Sequence, residues 1–229
     1  MPELPTEHML INNLANNEEL AQHNHRHFNE SGCFVVNVMS APGAGKTSLL
    51  ERSLPALSEE SRCAVIEGDM IGELDAERLR KHGIDVFQIS TGKTSHLDAQ
   101  MVARLVHVTN LANVDFLFIE NVGNLVCPAK FPLGEHKRVV LVSVTDGDDK
   151  PLKYPDIFQN CDLVVFSKCD LLPYVDFNLA LAIDYVHNLN ARAMCIASSA
   201  KNGRGIEEWL SWLQEEETKV LAGVHKVSS

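Results

Sequence analysis

The residues best placed to do chemistry are Ser40-Ala41-Pro42-Gly43-Ala44-Gly45-Lys46-Thr47-Ser48. Small residues at Gly43, Ala44 and Gly45 let backbone N–H groups crowd around a phosphate chain. A helix opening at that point adds its positive dipole end. Lys46 would then carry its ammonium to the β- and γ-phosphates, and the Thr47 hydroxyl would ligate Mg2+, with Ser48 following inside the same turn. Phe34 to Met39 reads as a buried strand and a helical pattern begins near Gly45, so the context is strand, loop, helix. Ser40 stands where the G-x-x-x-x-G-K-T pattern usually has its first glycine, and a chance glycine turn is the competing reading.

Ligands of an open α/β sheet bind beyond the carboxyl ends of its strands, so the loops there belong together. One strand ending near Ile66 runs into Glu67-Gly68-Asp69, with Asp75 six residues on; another ending at Ile119 runs into Glu120-Asn121-Val122-Gly123-Asn124. A carboxylate directly after an apolar strand is where nucleotide-bound Mg2+ finds oxygen ligands, often through water. Glu120 and Asp69 are accordingly assigned to Mg2+ and grouped with Lys46 and Thr47 as the catalytic set, while Gly123 would offer its N–H to the γ-phosphate. Asp75 is a further Mg2+ candidate that suits a helix start equally well.

Two more strand ends lead into Ser167-Lys168-Cys169-Asp170 and Ser198-Ser199-Ala200-Lys201, which look like the [N/T]-K-x-D and S-A-K loops that read the base in GTPases. Guanine presents an N1–H and an exocyclic NH2 side by side, and one carboxylate, Asp170, can accept both. Adenine offers no such pair, which would leave a buried carboxylate unsatisfied. Lys168 would lie across the base and the Ala200 N–H would reach guanine O6, with Ser199 and Lys201 completing the second loop. Ser167 replaces the usual asparagine, so a weaker brace between this loop and the phosphate loop is expected.

The elements that must position these loops are legible in the pattern. Apolar runs at 34–39, 62–66, 85–90, 114–119, 138–144, 162–166 and 193–197 alternate with helical patterns at 47–57, 75–82, 96–112, 176–188 and 205–216. Strands alternating with helices predict an α/β fold with a mainly parallel sheet covered on both faces, of the P-loop NTPase kind. The division expected is an N-terminal helical extension over 1–30, one nucleotide-binding domain over 31–218, and a loose tail over 219–229. A net charge of −11 argues against nonspecific attraction to nucleic acid or an anionic membrane. No apolar segment is long enough to span a bilayer, no signal pattern opens the chain, and six scattered cysteines form no C-x-x-C pair. These point to a cytoplasmic setting. In the first helix His23 and His27 share a face while His25 does not; a solvated polar face and a metal site both remain open.

With those loops in place, residues 20–216 resemble the hydrogenase nickel-incorporation GTPases, the HypB family. The resemblance is carried by SAPGAGKTSLLE, EGDMIGELDAERLRKHG, STGKTSHLDAQMV, LFIENVGNLVCPAKFPLGEHK, SVTDGDDKPLKYP and SKCDLLPYVDF. It implies a GTPase of the signal-recognition-particle/MinD (SIMIBI) class that binds GTP or GDP with Mg2+ and pairs into a nucleotide-dependent homodimer. It further implies nickel delivery to [NiFe]-hydrogenase, with a HypA-type accessory protein and the hydrogenase large-subunit precursor as partners. The family's metal site, for Ni2+ or Zn2+, maps onto His96 and Cys127, with Ser95 in the place of the family cysteine. Two subunits would pool His2Cys2. No arginine finger or water-orienting glutamine stands out, so slow intrinsic hydrolysis is expected. The alternatives are a urease- or cobalamin-type metallocentre GTPase, an ATP-using phosphotransferase, and a nucleotide-gated scaffold without a transfer-metal site of its own.

Overall fold

The computed structural model describes residues 7–69, 74–92, 94–109 and 111–227. In chain order it contains α1 (Glu7–Ser31), β1 (Phe34–Ser40), α2 (Lys46–Leu57), β2 (Cys63–Asp69), α3 (Leu74–Arg80), β3 (Asp85–Ser90) and α4 (Ala99–Val106). There follow β4 (Phe116–Glu120), β5 (Lys137–Ser143), α5 (Lys150–Lys153), α6 (Pro155–Gln159), β6 (Leu163–Ser167), α7 (Leu179–Leu189), β7 (Met194–Ala197) and α8 (Ile206–Val227). The strands form one sheet in the order β3-β2-β4-β1-β5-β6-β7, and every pairing is parallel. Parallel strands need crossovers, and the crossovers bury the sheet on both sides. That is why β1, the central strand, has all seven residues buried.

Side chains alternate between the two layers, as strand geometry requires. Val36 and Val38 join Leu50 and Leu54 of α2, Leu79 of α3 and Trp209 of α8 on one face. Val35 joins Phe28 of α1 and Val102 and Val106 of α4 on the other, where Val140 and Phe166 also meet Ile157 of α6 and Val186 of α7. Trp209 donates its indole N–H to Ser53 Oγ at 3.2 Å, so its full burial leaves no polar atom wanting.

The N-terminal helix is bonded to the domain through its amides. Buried Asn17 accepts from the Ala99 N–H at 2.8 Å and donates to the Pro132 carbonyl at 2.8 Å; buried Asn24 donates to the carbonyls of Ala99 and Leu133 at 2.9 and 3.0 Å. Two helices differ most in extent from the sequence pattern. The helix expected over 96–112 is shortened to Ala99–Val106, because Asp98 caps it by accepting the Met101 N–H at 2.8 Å. The last helix runs on through Val227, into the stretch expected as a loose tail. No described helix is long and apolar enough to cross a membrane.

Candidate nucleotide and metal sites

The phosphate loop leaves β1 at Ser40 and enters α2 at Lys46. Gly43 and Gly45 have φ of 71° and 100°, the left-handed region that a side chain disfavours. Ser40, in the place of the usual glycine, is buried and does not block the turn: its hydroxyl donates to the Ala41 carbonyl at 2.6 Å and lies 3.3 Å from Lys46 Nζ. Gly123, from the loop after β4, packs on this turn. A Cβ there would lie 2.8 Å from Pro42 Cα, so only glycine allows the approach.

Thr47 donates to Glu120 Oε1 at 2.6 Å, bringing together the two residues read as Mg2+ ligands. Glu120 Oε2 is buried and has no partner, and neither has Oε2 of Glu67, which the strand register sets directly beside Glu120. Burial pushes the Glu120 carboxyl up, against the pull of Lys46; burial also lowers Lys46, against the surrounding acids. Burial first, then the charges of Glu120, Asp75 and Asp69, push Glu67 up to about 7. An excess of buried carboxylate beside a threonine hydroxyl is an oxygen-rich setting that suits a hard divalent cation. Among the described residues, no three His, Cys, Asp or Glu side chains converge as a metal-binding group. Asp69 ends β2 and its charge acts on both Lys46 and Glu67. Asp75 lies in the first turn of α3, ion-paired to Arg78 at 3.0 Å, and Arg78 in turn holds Glu51 and, at 3.2 Å, Ser48 Oγ. Residues 70–73 between them lie outside the described residues.

From the phosphate loop a cavity of about 610 Å³ extends past Ala44, Gly45 and Ser48 to Lys168, Asp170, Ala200 and Lys201. Every base-reading residue named from the sequence therefore borders the cavity or, like Ser199, bonds to a residue that does. Asp170 Oδ1 accepts from the buried Ser199 hydroxyl at 2.6 Å. Lys168 sits in the left-handed region, with φ of 58°, and its ammonium reaches the Gly43 carbonyl at 2.7 Å. The brace expected to suffer from serine at 167 is present: Ser167 Oγ donates to the Ala44 carbonyl at 2.6 Å. A shorter side chain makes the bond because β6 and the phosphate loop approach closely enough, a tertiary fact.

Around the family metal position, Ser95 Oγ lies 3.4 Å from Cys127 Sγ. His96 stacks on Phe131 with ring centroids 4.1 Å apart, and its Nδ1 is buried without a partner. Burial lowers its pKa, which favours the neutral, ligating form. Ser95 and Cys127 are thus in contact, while His96 packs on Phe131. The three histidines of α1 are not gathered: His23 and His27 flank His107, with centroids 5.7 and 6.1 Å away, while His25 Nδ1 lies 3.0 Å from the Gly134 carbonyl. All six cysteines are free thiols.

Glu67 is the site residue that sequence reasoning passed over. It was visible as an acid at a strand end, but its position beside Glu120 depends on the β2–β4 register.

Residues 34–197 match the family model described as "CobW/HypB/UreG, nucleotide-binding domain". A hydrogenase maturation factor HypB from Rhizobium leguminosarum bv. viciae is 47% identical over 201 residues, covering 88% of this chain and 67% of that protein. The crystal structure of the HypB of Archaeoglobus fulgidus superposes with a TM-score of 0.84 at 41% identity, covering 89% of this chain and 99% of that one. The HypB of Helicobacter pylori, crystallised in complex with nickel, gives 0.83 at 37% identity, covering 89% and 96%. With its all-parallel sheet and this match over most of its length, the chain belongs to the HypB family of hydrogenase maturation factors.

Proposed function

We propose that this protein binds and slowly hydrolyses GTP, with Mg2+, and delivers nickel during [NiFe]-hydrogenase maturation. On this reading it works in the cytoplasm as a nucleotide-dependent homodimer, with a HypA-type protein and the hydrogenase large-subunit precursor as partners. The observation that carries the nucleotide assignment is Asp170, held by Ser199 in the same cavity as the phosphate loop. Its carboxylate matches the paired donors of guanine and nothing on adenine.

In hydrolysis, water adds to the γ-phosphorus as the bond to the β-bridging oxygen breaks, giving GDP and phosphate. Lys46 and the loop amides neutralise charge on the phosphates, and Gly123 offers its N–H beside them. Thr47, Glu120 and Asp69 would hold Mg2+, which when bound supplies the remaining charge neutralisation. Burial pushes Glu120 and Lys46 each toward its neutral form, and their mutual attraction opposes that shift. No glutamine or arginine finger stands out to orient the attacking water, so turnover by one chain is slow. Ni2+ is the cargo. His96 and Cys127 would bind it, and a second subunit supplying the same pair would make His2Cys2.

Competition calorimetry with GTP and ATP tests the assignment. A preference for GTP of about 10²-fold or more is expected, and equal affinities would overturn it. A second reading, a nucleotide-gated scaffold with no transfer-metal site of its own, is favoured by one feature: Ser95 occupies Cys127 with its hydroxyl where the family has a thiol. Equilibrium dialysis with Ni2+ and Zn2+, with and without nucleotide, separates the two.

A further inference from the structure

The loop after β4 carries Glu120, bonded to Thr47, and Gly123, packed on Pro42. Between them Asn121 is only 1% exposed and makes a different set of contacts. Its Oδ1 accepts from the backbone N–H of Leu97 at 3.2 Å and of Val122 at 2.9 Å. Its Nδ2 donates to Asn37 Oδ1 at 3.3 Å. Asn37 passes the chain on, donating to Glu135 Oε1 at 3.1 Å, and Glu135 Oε2 accepts the Leu133 N–H at 2.6 Å.

Both ends of this network are informative. Leu97 directly follows His96. Leu133 is two residues beyond Phe131, the ring stacked on His96, in the segment that leads away from Cys127. Asn37 is also a polar residue fully buried in the central strand, among Val35, Val36, Val38 and Met39. Packing alone would favour valine there, since a buried amide is tolerated only when its donors and acceptors are met. The network gives each amide partners, and it joins the loop of Glu120 to both the Leu97 and the Leu133 segments.

We infer that Asn121 is a positioning residue that couples nucleotide state to the geometry of the cargo site. A shift of residues 120–123 on gaining or losing the γ-phosphate moves the acceptor of the Leu97 N–H, and with it His96. The same shift reaches the Phe131 segment through Asn37 and Glu135. The inference rests on the reading of Lys46, Thr47 and Glu120 as the GTP site and of His96 and Cys127 as the cargo site. It goes beyond that reading by naming the link between them.

The test is a thermodynamic cycle on the full chain. Ni2+ affinity is measured by calorimetry, with the thiolate-to-nickel absorption band recorded, in the GDP form and with a nonhydrolysable GTP analogue. In the unsubstituted protein the two affinities should differ by about 10-fold. In Asn121→Leu, of similar volume, the ratio should fall to within about 2-fold while guanine nucleotides still bind. A merely structural asparagine would lower the thermal midpoint and leave the ratio intact, and an intact ratio overturns the inference. If the unsubstituted protein shows no ratio, or keeps its nickel band in Cys127→Ser, the underlying site reading fails and the link falls with it. A second measurement needs no variant. Hydrogen exchange at the Leu97 amide should differ between the two nucleotide forms, and identical protection in both overturns the inference even if Asn121→Leu does not fold.

Discussion

The edge that carries the phosphate loop and the surface around Ser95, His96 and Cys127, proposed above to hold the cargo, are built differently. Along the nucleotide edge the side chains already answer one another: Ser167 to Ala44, Lys168 to Gly43, Asp170 to Ser199, Thr47 to Glu120. Partners on different loops hold each group, so the pocket is shaped before a ligand arrives and little ordering has to accompany binding. Around Ser95, His96 and Cys127 the contacts are fewer: a serine hydroxyl lies beside the thiol, His96 Nδ1 is buried without a partner, and among the described residues no group of three His, Cys, Asp or Glu side chains forms. A site finished within one chain can bind tightly alone. If His96 and Cys127 bind nickel as proposed, a site with two ligands is weak until another component completes it.

The sharpest way to break this contrast is at Asp170, the carboxylate proposed to read the base. Asp170→Asn replaces one acceptor oxygen with a donor facing the guanine N–H groups, so GTP affinity should fall by about 10² to 10³-fold, read by calorimetry. Retention of affinity would mean that the pocket is not preformed for guanine. Gly123→Ala comes next: its Cβ would press on Pro42 Cα, costing about 1–3 kcal/mol through a distorted phosphate loop. Its melting temperature and GTP affinity should drop together.

On the cargo side, Ser95→Cys adds a thiolate next to Cys127. Nickel should bind about tenfold tighter, with a stronger thiolate-to-nickel band, because a thiolate is a far better ligand than a hydroxyl. No gain would mean that position 95 does not face the metal.

The smallest effect concerns Glu67, whose carboxyl is raised from 4.5 to about 7. The folded, nucleotide-free protein holds this proton more tightly than the unfolded chain does. Its stability should therefore fall as pH rises from about 4.5 through 7. Glu67→Gln should flatten that slope, on the order of a few °C in melting temperature across the window.

Much of the fold was open to a reader of the chain. All seven strands lie where the apolar runs predict, because strands of a parallel sheet covered on both faces are mostly apolar, Asn37 and Glu67 being buried exceptions. The short helices α5 and α6 were not legible as such. Pro151 and Pro155 near their starts are also turn residues, and two helices of four and five residues carry too little periodicity to register. The premature start assigned to α4 has a similar cause: the Leu97 N–H is spent on Asn121, a contact no local pattern encodes.

What the sequence carried alone was the local pattern of each loop, since glycine spacing, the Lys-Thr pair and the Lys-x-Asp triplet act over a few neighbouring residues. What tertiary structure decided was which loops meet. The β2–β4 register set Glu67 beside Glu120, a close approach let Ser167 do the work of asparagine, and packing laid Asn121 between Leu97 and Asn37. Each is a contact between residues far apart along the chain. Such contacts exist only once the sheet has closed and its helices have fixed the distances between loops.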